Sequence, residues 1–103
     1  MANDIIRNYM RYLKLERNYT YNTLEAYRHD LEYLIEYARQ NDVALVDMKL
    51  ENLENFSASL HDKGIVARSQ ARILCGVRSF YRYLVTDGYI KDDPTEPVSY
   101  THL

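Results

Sequence analysis

The chain has 103 residues, 47% of them hydrophobic and 27% charged, and a net charge of −2, which fits one ordinary globular domain near the size at which a single core becomes marginal. Only three Gly and two Pro argue against a turn-rich β fold, and no run of about 18 apolar residues exists to form a membrane span. The N-terminus, with Asp4 and no apolar stretch, is not a signal peptide, and the single Cys75 has no internal disulfide partner, so a cytoplasmic setting is expected.

Apolar spacing predicts four helices joined by short loops. The first covers about Asp4 to Glu16, with Ile5, Ile6, Tyr9, Tyr12 and Leu13 at i, i+3, i+4 spacing and Asn3 as its cap. The second starts after Thr20, a good N-cap, and runs to Asn41-Asp42 on a stripe of Leu24, Tyr27, Leu31, Leu34, Ile35 and Ala38. Val43 to Met48 is a connector. The third helix, Lys49 to Lys63, offers Leu50, Leu53, Phe56 and Leu60, and Gly64 is its natural stop. The fourth is expected to be capped by Ser69 and to end at Asp87-Gly88, and Asp92-Asp93-Pro94 is turn chemistry. The fold class is therefore all-α, a four-helix bundle, with Leu24, Leu31, Leu53, Phe56, Val77, Phe80 and Leu84 expected to share one core.

The fourth helix carries the functional signal. Advancing by 100° per residue puts Ile73, Val77, Phe80, Tyr81 and Leu84 on one side, with Leu74 and Val85 at the edge. Arg68, Arg72, Cys75, Ser79 and Arg82 fall opposite, with Arg78 at the margin, and no acid lies between Arg68 and Leu84. An exposed helix commonly mixes both signs for i,i+4 pairing, so a one-sided row of guanidinium groups is either a solvated face or a face for phosphates. Arg72 has Arg68 and Gly76 one turn away on either side. Its charge is expected to be uncommitted, and its removal to spare the fold. The charge is segregated along the chain as well. Lys63 to Lys91 holds six basic side chains against Asp87 alone, whereas Asp42 to Asp62 holds five acids against Lys49 alone. One face is thus suited to an anion, although the overall pI near 5.9 is not that of a generic nucleic-acid binder.

Three segments, Thr20-Tyr-Asn-Thr23-Leu-Glu-Ala-Tyr27-Arg28-His-Asp30-Leu31, Ser69-Gln-Ala-Arg72-Ile-Leu-Cys-Gly-Val-Arg78-Ser-Phe80-Tyr81-Arg-Tyr-Leu84 and Asp92-Asp93-Pro94-Thr95, occur in this order. Together they resemble the N-terminal core-binding (SAM-like) domain of tyrosine recombinases, in the Xer-type and phage-integrase branch. The likeness covers about Ile5 to Glu96. It implies a SAM-like orthogonal bundle forming half of a clamp around double-stranded DNA at a recombination half-site, the second and fourth helices crossing near the major groove. Thr23, Tyr27 and Arg28, then Ser69, Arg72 and Arg78, match the family's DNA-facing stretches, and Arg68 and Arg82 share the basic face of the fourth helix. Tyr27 also lies on the apolar stripe, so core aromatic and phosphate contact are both open readings, and the Thr23 hydroxyl suits local capping equally well. The resemblance further implies contact with neighbouring recombinase protomers on DNA through the first helix, including Tyr9 and Tyr12, while the four amphipathic stripes predict a monomer in isolation.

Two departures stand out. Cys75-Gly76 replaces the Ser-Ala common in relatives, Gly76 costing on the order of 1 kcal/mol of helix stability relative to Ala. Pro97-Val-Ser-Tyr-Thr-His-Leu103 does not resemble the family's linker, so residues 1–96 are expected to be the domain and 97–103 a linker remnant or non-native tail. The family cleaves DNA through a tyrosine set among Arg, Lys and His-x-x-Arg residues. No such constellation occurs here, since His29, His61 and His102 are isolated, and no metal-ligand spacing or glycine-rich phosphate loop is present. This chain alone is therefore expected to be no enzyme and to hold no cofactor or metal. The competing reading is a helical protein-interaction module using the tyrosine-rich first two helices, because Tyr and Arg are both enriched at interfaces.

Overall fold

The computed structural model describes the backbone of residues 2–96 and the side chains from Asp4 onward; the expected tail, 97–103, and the Asn3 side chain lie outside the described residues. Four helices follow in order: α1 (Ala2–Leu15), α2 (Tyr21–Gln40), α3 (Leu50–Asp62) and α4 (Ala67–Thr86), with a 3₁₀ turn at Leu45–Asp47 between α2 and α3. No strand occurs among the described residues.

The helix ends are set locally. At the start of α2 the Thr20 Oγ1 accepts the Thr23 backbone N–H at 3.3 Å, and at the start of α3 the Asn52 Oδ1 accepts the Lys49 N–H at 2.9 Å. Two starts differ from expectation. Helix α1 already includes Asn3, and α4 begins after Val66, two residues before Ser69, with no side-chain cap. Ser69 is thus inside the first turn of α4. Three helices stop in the same way. Gly64 (φ 80°), Gly88 (φ 82°) and Asp42 (φ 55°) take left-handed backbone just past α3, α4 and α2. The next residue then donates back into the helix: Ile65 to the Leu60 carbonyl, Tyr89 to Leu84 and Val43 to Ala38, at 3.2, 2.9 and 3.0 Å.

Helix α4 is the centre of the core. Ile73, Gly76, Val77, Phe80, Tyr81, Tyr83 and Leu84 are all buried along it, with Leu74 and Val85 at the edge as the periodicity predicted. Around them pack Tyr9 and Leu13 from α1, Leu31, Leu34, Tyr37 and Ala38 from α2, and Leu53, Phe56 and Leu60 from α3. Leu45 and Met48 of the connector close the core, whereas Leu24, expected inside, is only half-buried. Aromatic edges join α1 to α4: the Tyr9 ring lies 5.2 Å from Phe80 and 5.3 Å from Tyr83, and Tyr12 lies 4.9 Å from Tyr83. The two most buried phenols have partners. The Tyr81 hydroxyl donates to the Leu45 carbonyl at 2.7 Å, and the Tyr9 hydroxyl meets the Ser79 Oγ at 3.0 Å. After α4, Asp93 Oδ1 accepts the Thr95 N–H (2.8 Å) and hydroxyl (2.6 Å), closing the turn around Pro94.

Burial pushes the Tyr9 and Tyr81 phenols well above the ordinary range. An acid whose folded-state pKa is raised contributes stability that is complete below its unfolded value, about 10 for tyrosine, and is lost as pH rises past it. The domain should therefore unfold cooperatively in alkali above about pH 10. Helical circular dichroism followed alongside tyrosinate absorbance checks this. The expectation fails if all tyrosines ionise at the ordinary value with the helices intact.

Candidate nucleic-acid interface

The outer side of α4 is basic and open. Arg68, Arg72, Arg78 and Arg82 are exposed, with Ala71 and Cys75 between them, along roughly 21 Å of helix at 1.5 Å per residue. Arg68, Arg78 and Arg82 carry no ion pair among the described residues. The first turn of α4 has no acidic residue and no side-chain cap, so Arg68 sits at the positive end of the helix dipole. That placement does nothing for helix stability and attracts anions. Arg78, at the margin, borders a shallow groove of about 160 Å³ between α3 and α4, beside Glu54 and Ser57.

Arg72 is different, and the expectation of an uncommitted charge is wrong. Its Nη2 lies 3.1 Å from Asp30 Oδ1, and its Nε lies 3.3 Å from each Asp30 oxygen. Asp30 is on α2 and only 4% exposed, while the Arg72 side chain remains 56% exposed. The pair therefore spans the α2–α4 seam with its acid inside and its base at the surface. Gly76, one turn beyond Arg72, packs against the same acid: a Cβ there would fall 3.6 Å from the Asp30 Cβ and 3.7 Å from its Oδ2, ordinary contact distances.

The expected α2 residues are more occupied than the sequence implied. Thr23 takes part in capping, its Oγ1 accepting the Thr20 hydroxyl at 3.1 Å. Tyr27 is half-buried, its ring 5.3 Å from that of Tyr19, and interaction with the Tyr19 hydroxyl followed by burial raises its pKa. Arg28 is exposed but lies between Glu25 at 2.7 Å and Glu32 at 3.8 Å. Its guanidinium is held by acids of its own helix. Ser69 is half-buried in the first turn of α4, and Ser79, on the nominal polar face, is committed to Tyr9. Tyr9 is 0% exposed, so it is a core residue and not a subunit contact. Tyr37, Tyr81 and Tyr83 are buried too, but Tyr12, Tyr27 and Tyr33 of the first two helices are half-buried and Tyr21 is exposed, so those helices keep tyrosine at the surface.

Asp30 is the residue that sequence reasoning missed. The signal was present: an acid three residues after Tyr27 and four before Leu34 stands within the inward stripe of α2. A carboxylate there requires a cation from a facing helix. No group of His, Cys, Asp and Glu suited to a metal occurs among the described residues, and none of their helices is long and apolar enough to cross a membrane.

The family model for the phage integrase N-terminal SAM-like domain matches residues 6–88, from α1 through the stop of α4. The chain belongs to this family. Among curated proteins, it is 38% identical over 92 residues to tyrosine recombinase XerC of Pseudomonas syringae pv. syringae, covering 88% of this chain and 31% of that protein. It is 37% identical over 97 residues to tyrosine recombinase XerD of Listeria monocytogenes, covering 89% of this chain and 32% of that one. Tyrosine recombinase XerC of Leptospira interrogans is 30% identical over 99 residues, covering 95% of this chain and 32% of its own length. The chain thus spans about a third of the length of these curated relatives. No solved structure was matched. The SAM-like domain membership and the helical architecture agree, since the matched span begins within α1 and contains α2, α3 and α4.

Removing Arg72 should now destabilise the fold, because the Asp30 carboxylate would stay buried without its partner. Arg72→Ala is expected to cost about 1 to 3 kcal/mol. Gly76→Ala, whose new methyl fits, should be neutral or stabilising by up to about 1 kcal/mol. Urea titrations of the three proteins decide it, and an Arg72→Ala midpoint equal to the unsubstituted one would refute the structural role.

Proposed function

We propose that this chain is the DNA-binding domain of a site-specific tyrosine recombinase, laying α4 against duplex DNA at a recombination half-site. The observation that carries the reading is the exposed α4 face, where Arg68, Arg78 and Arg82 have no acidic partner among the described residues, in a helix without acids of its own. Membership of the integrase SAM-like family and the tyrosine recombinase relatives support the same ligand. Arg28 and Thr23 stand at the start of α2 as secondary contacts, each already engaged with near neighbours.

The division of work follows from chemistry. Three uncommitted guanidinium groups attract phosphates, release counterions and give affinity that falls steeply with salt. Strand cleavage is not assigned to this domain in this reading, since the sequence carries no His-x-x-Arg motif. The eleven tyrosines of the sequence are for the most part packing residues or helix-surface residues.

Half of a clamp should bind duplex DNA weakly, in the range of about 10⁻⁴ to 10⁻⁶ M at physiological salt. Arg78→Gln and Arg82→Gln should each make the dependence of log Kd on log salt shallower by about one unit while the melting temperature holds. Fluorescence anisotropy across a salt series measures this, and salt-independent binding or no binding would defeat the reading. The chain alone should form no covalent adduct with a nicked suicide duplex. A denaturation-resistant protein–DNA band would contradict that.

A further inference from the structure

The Asp30–Arg72 pair divides the arginines of α4 into two kinds. Arg68, Arg78 and Arg82 carry no ion pair among the described residues, whereas Arg72 is held on one edge by a carboxylate from another helix. Asp30 engages the Nε and Nη2 side of the guanidinium, which has five N–H donors in a rigid plane. Donors on Nη1 and the second donor of Nη2 remain, along the end-on edge, and the Arg72 side chain is 56% exposed. The plane is thereby fixed relative to α4. Its charge is also largely matched by Asp30, so Arg72 adds little to general attraction for phosphate. A guanidinium with a fixed direction and a compensated charge is poorly suited to sequence-independent binding and well suited to a directional, bidentate contact. Among the base edges of the duplex, the one that offers two acceptors to such a fork is guanine, through O6 and N7 in the major groove.

We propose that Arg72 is a specificity-determining residue that reads a guanine, and that Asp30 is the positioning residue that aims it. The inference rests on the duplex-DNA reading of α4 and adds a division of labour to it. Arg68, Arg78 and Arg82 supply salt-dependent affinity, and the Asp30–Arg72 pair supplies base preference.

The test is selection from a randomised duplex library by the unsubstituted chain at low salt, repeated with Asp30→Asn and Arg72→Lys. Melting curves establish the folded fraction of each. Arg72→Lys keeps the surface charge and loses the fork, so it remains informative should Asp30→Asn fold poorly. The unsubstituted chain is expected to enrich a guanine at one position. Both variants should lower discrimination there by about fivefold or more while preferences elsewhere persist. Asp30→Asn, which frees the Arg72 charge, should bind random duplex as well as or better than the unsubstituted chain, with a steeper salt dependence. Duplex binding without sequence enrichment, or the same guanine preference in both variants, overturns the proposal while leaving the duplex-binding reading intact. Absence of any duplex binding by the unsubstituted chain overturns both.

Discussion

Burying the Asp30 carboxylate between α2 and α4 demands a cation with several donors, because an uncompensated acid in that position would cost more than most single contacts in the fold supply. Arg72 meets the demand from the neighbouring helix, and Gly76, one turn on, packs against the same acid. Helices α2 and α4 form the most extensive helix pair in the domain, and their relative position is tied to this one polar contact amid an apolar seam. Hydrophobic packing tolerates small sliding movements, whereas a forked pair fixes direction. The surface arginines of α4 therefore stand on a helix whose rotation about its own axis is specified from within.

Tyrosine does what phenylalanine and leucine do in other small cores, with a polar tip added. Tyr9 fills the space between α1 and α4 with its ring and reaches Ser79 with its hydroxyl, and Tyr81 crosses the core to the carbonyl of Leu45. Each ring contributes apolar area and each hydroxyl satisfies a group that would otherwise be buried without a partner. Helix α1 is held through Tyr9 and Tyr12 of its apolar stripe, which meet Phe80 and Tyr83 of α4 in a shared aromatic layer. Asn8 adds a polar tie to Tyr89 beyond the end of α4.

Most of the fold was legible in the sequence because helical periodicity is a local property. The inward side of α4 follows from counting residues, and Gly64 and Gly88 announce the left-handed stops they make. The failures have a common cause. Asn3 and Ser69 are good capping residues that sit one turn or less inside the helices, since packing extends α1 and α4 beyond the point where capping preference would start them. Within the site, the exposed positions of Arg68, Arg78 and Arg82 were legible, but the commitment of Arg72 was not. Its partner lies 42 positions away in sequence, on another helix, and helical spacing carries no information about that distance. The same holds for Ser79, whose hydroxyl was assigned outward and turns to Tyr9.

The left-handed stops have a kinetic consequence. With Gly64 turning the chain immediately after α3, α4 is returned to α3 across a short connection, and little chain entropy is spent on closing that loop. The contacts within each helix and between α3 and α4 are local, the kind from which helical domains fold in microseconds to milliseconds. The pairing of Asp30 with Arg72 joins helices that are not successive, and so belongs to the late, non-local part of that approach. The secondary structure and the loop directions can thus be established before the basic face acquires its final arrangement.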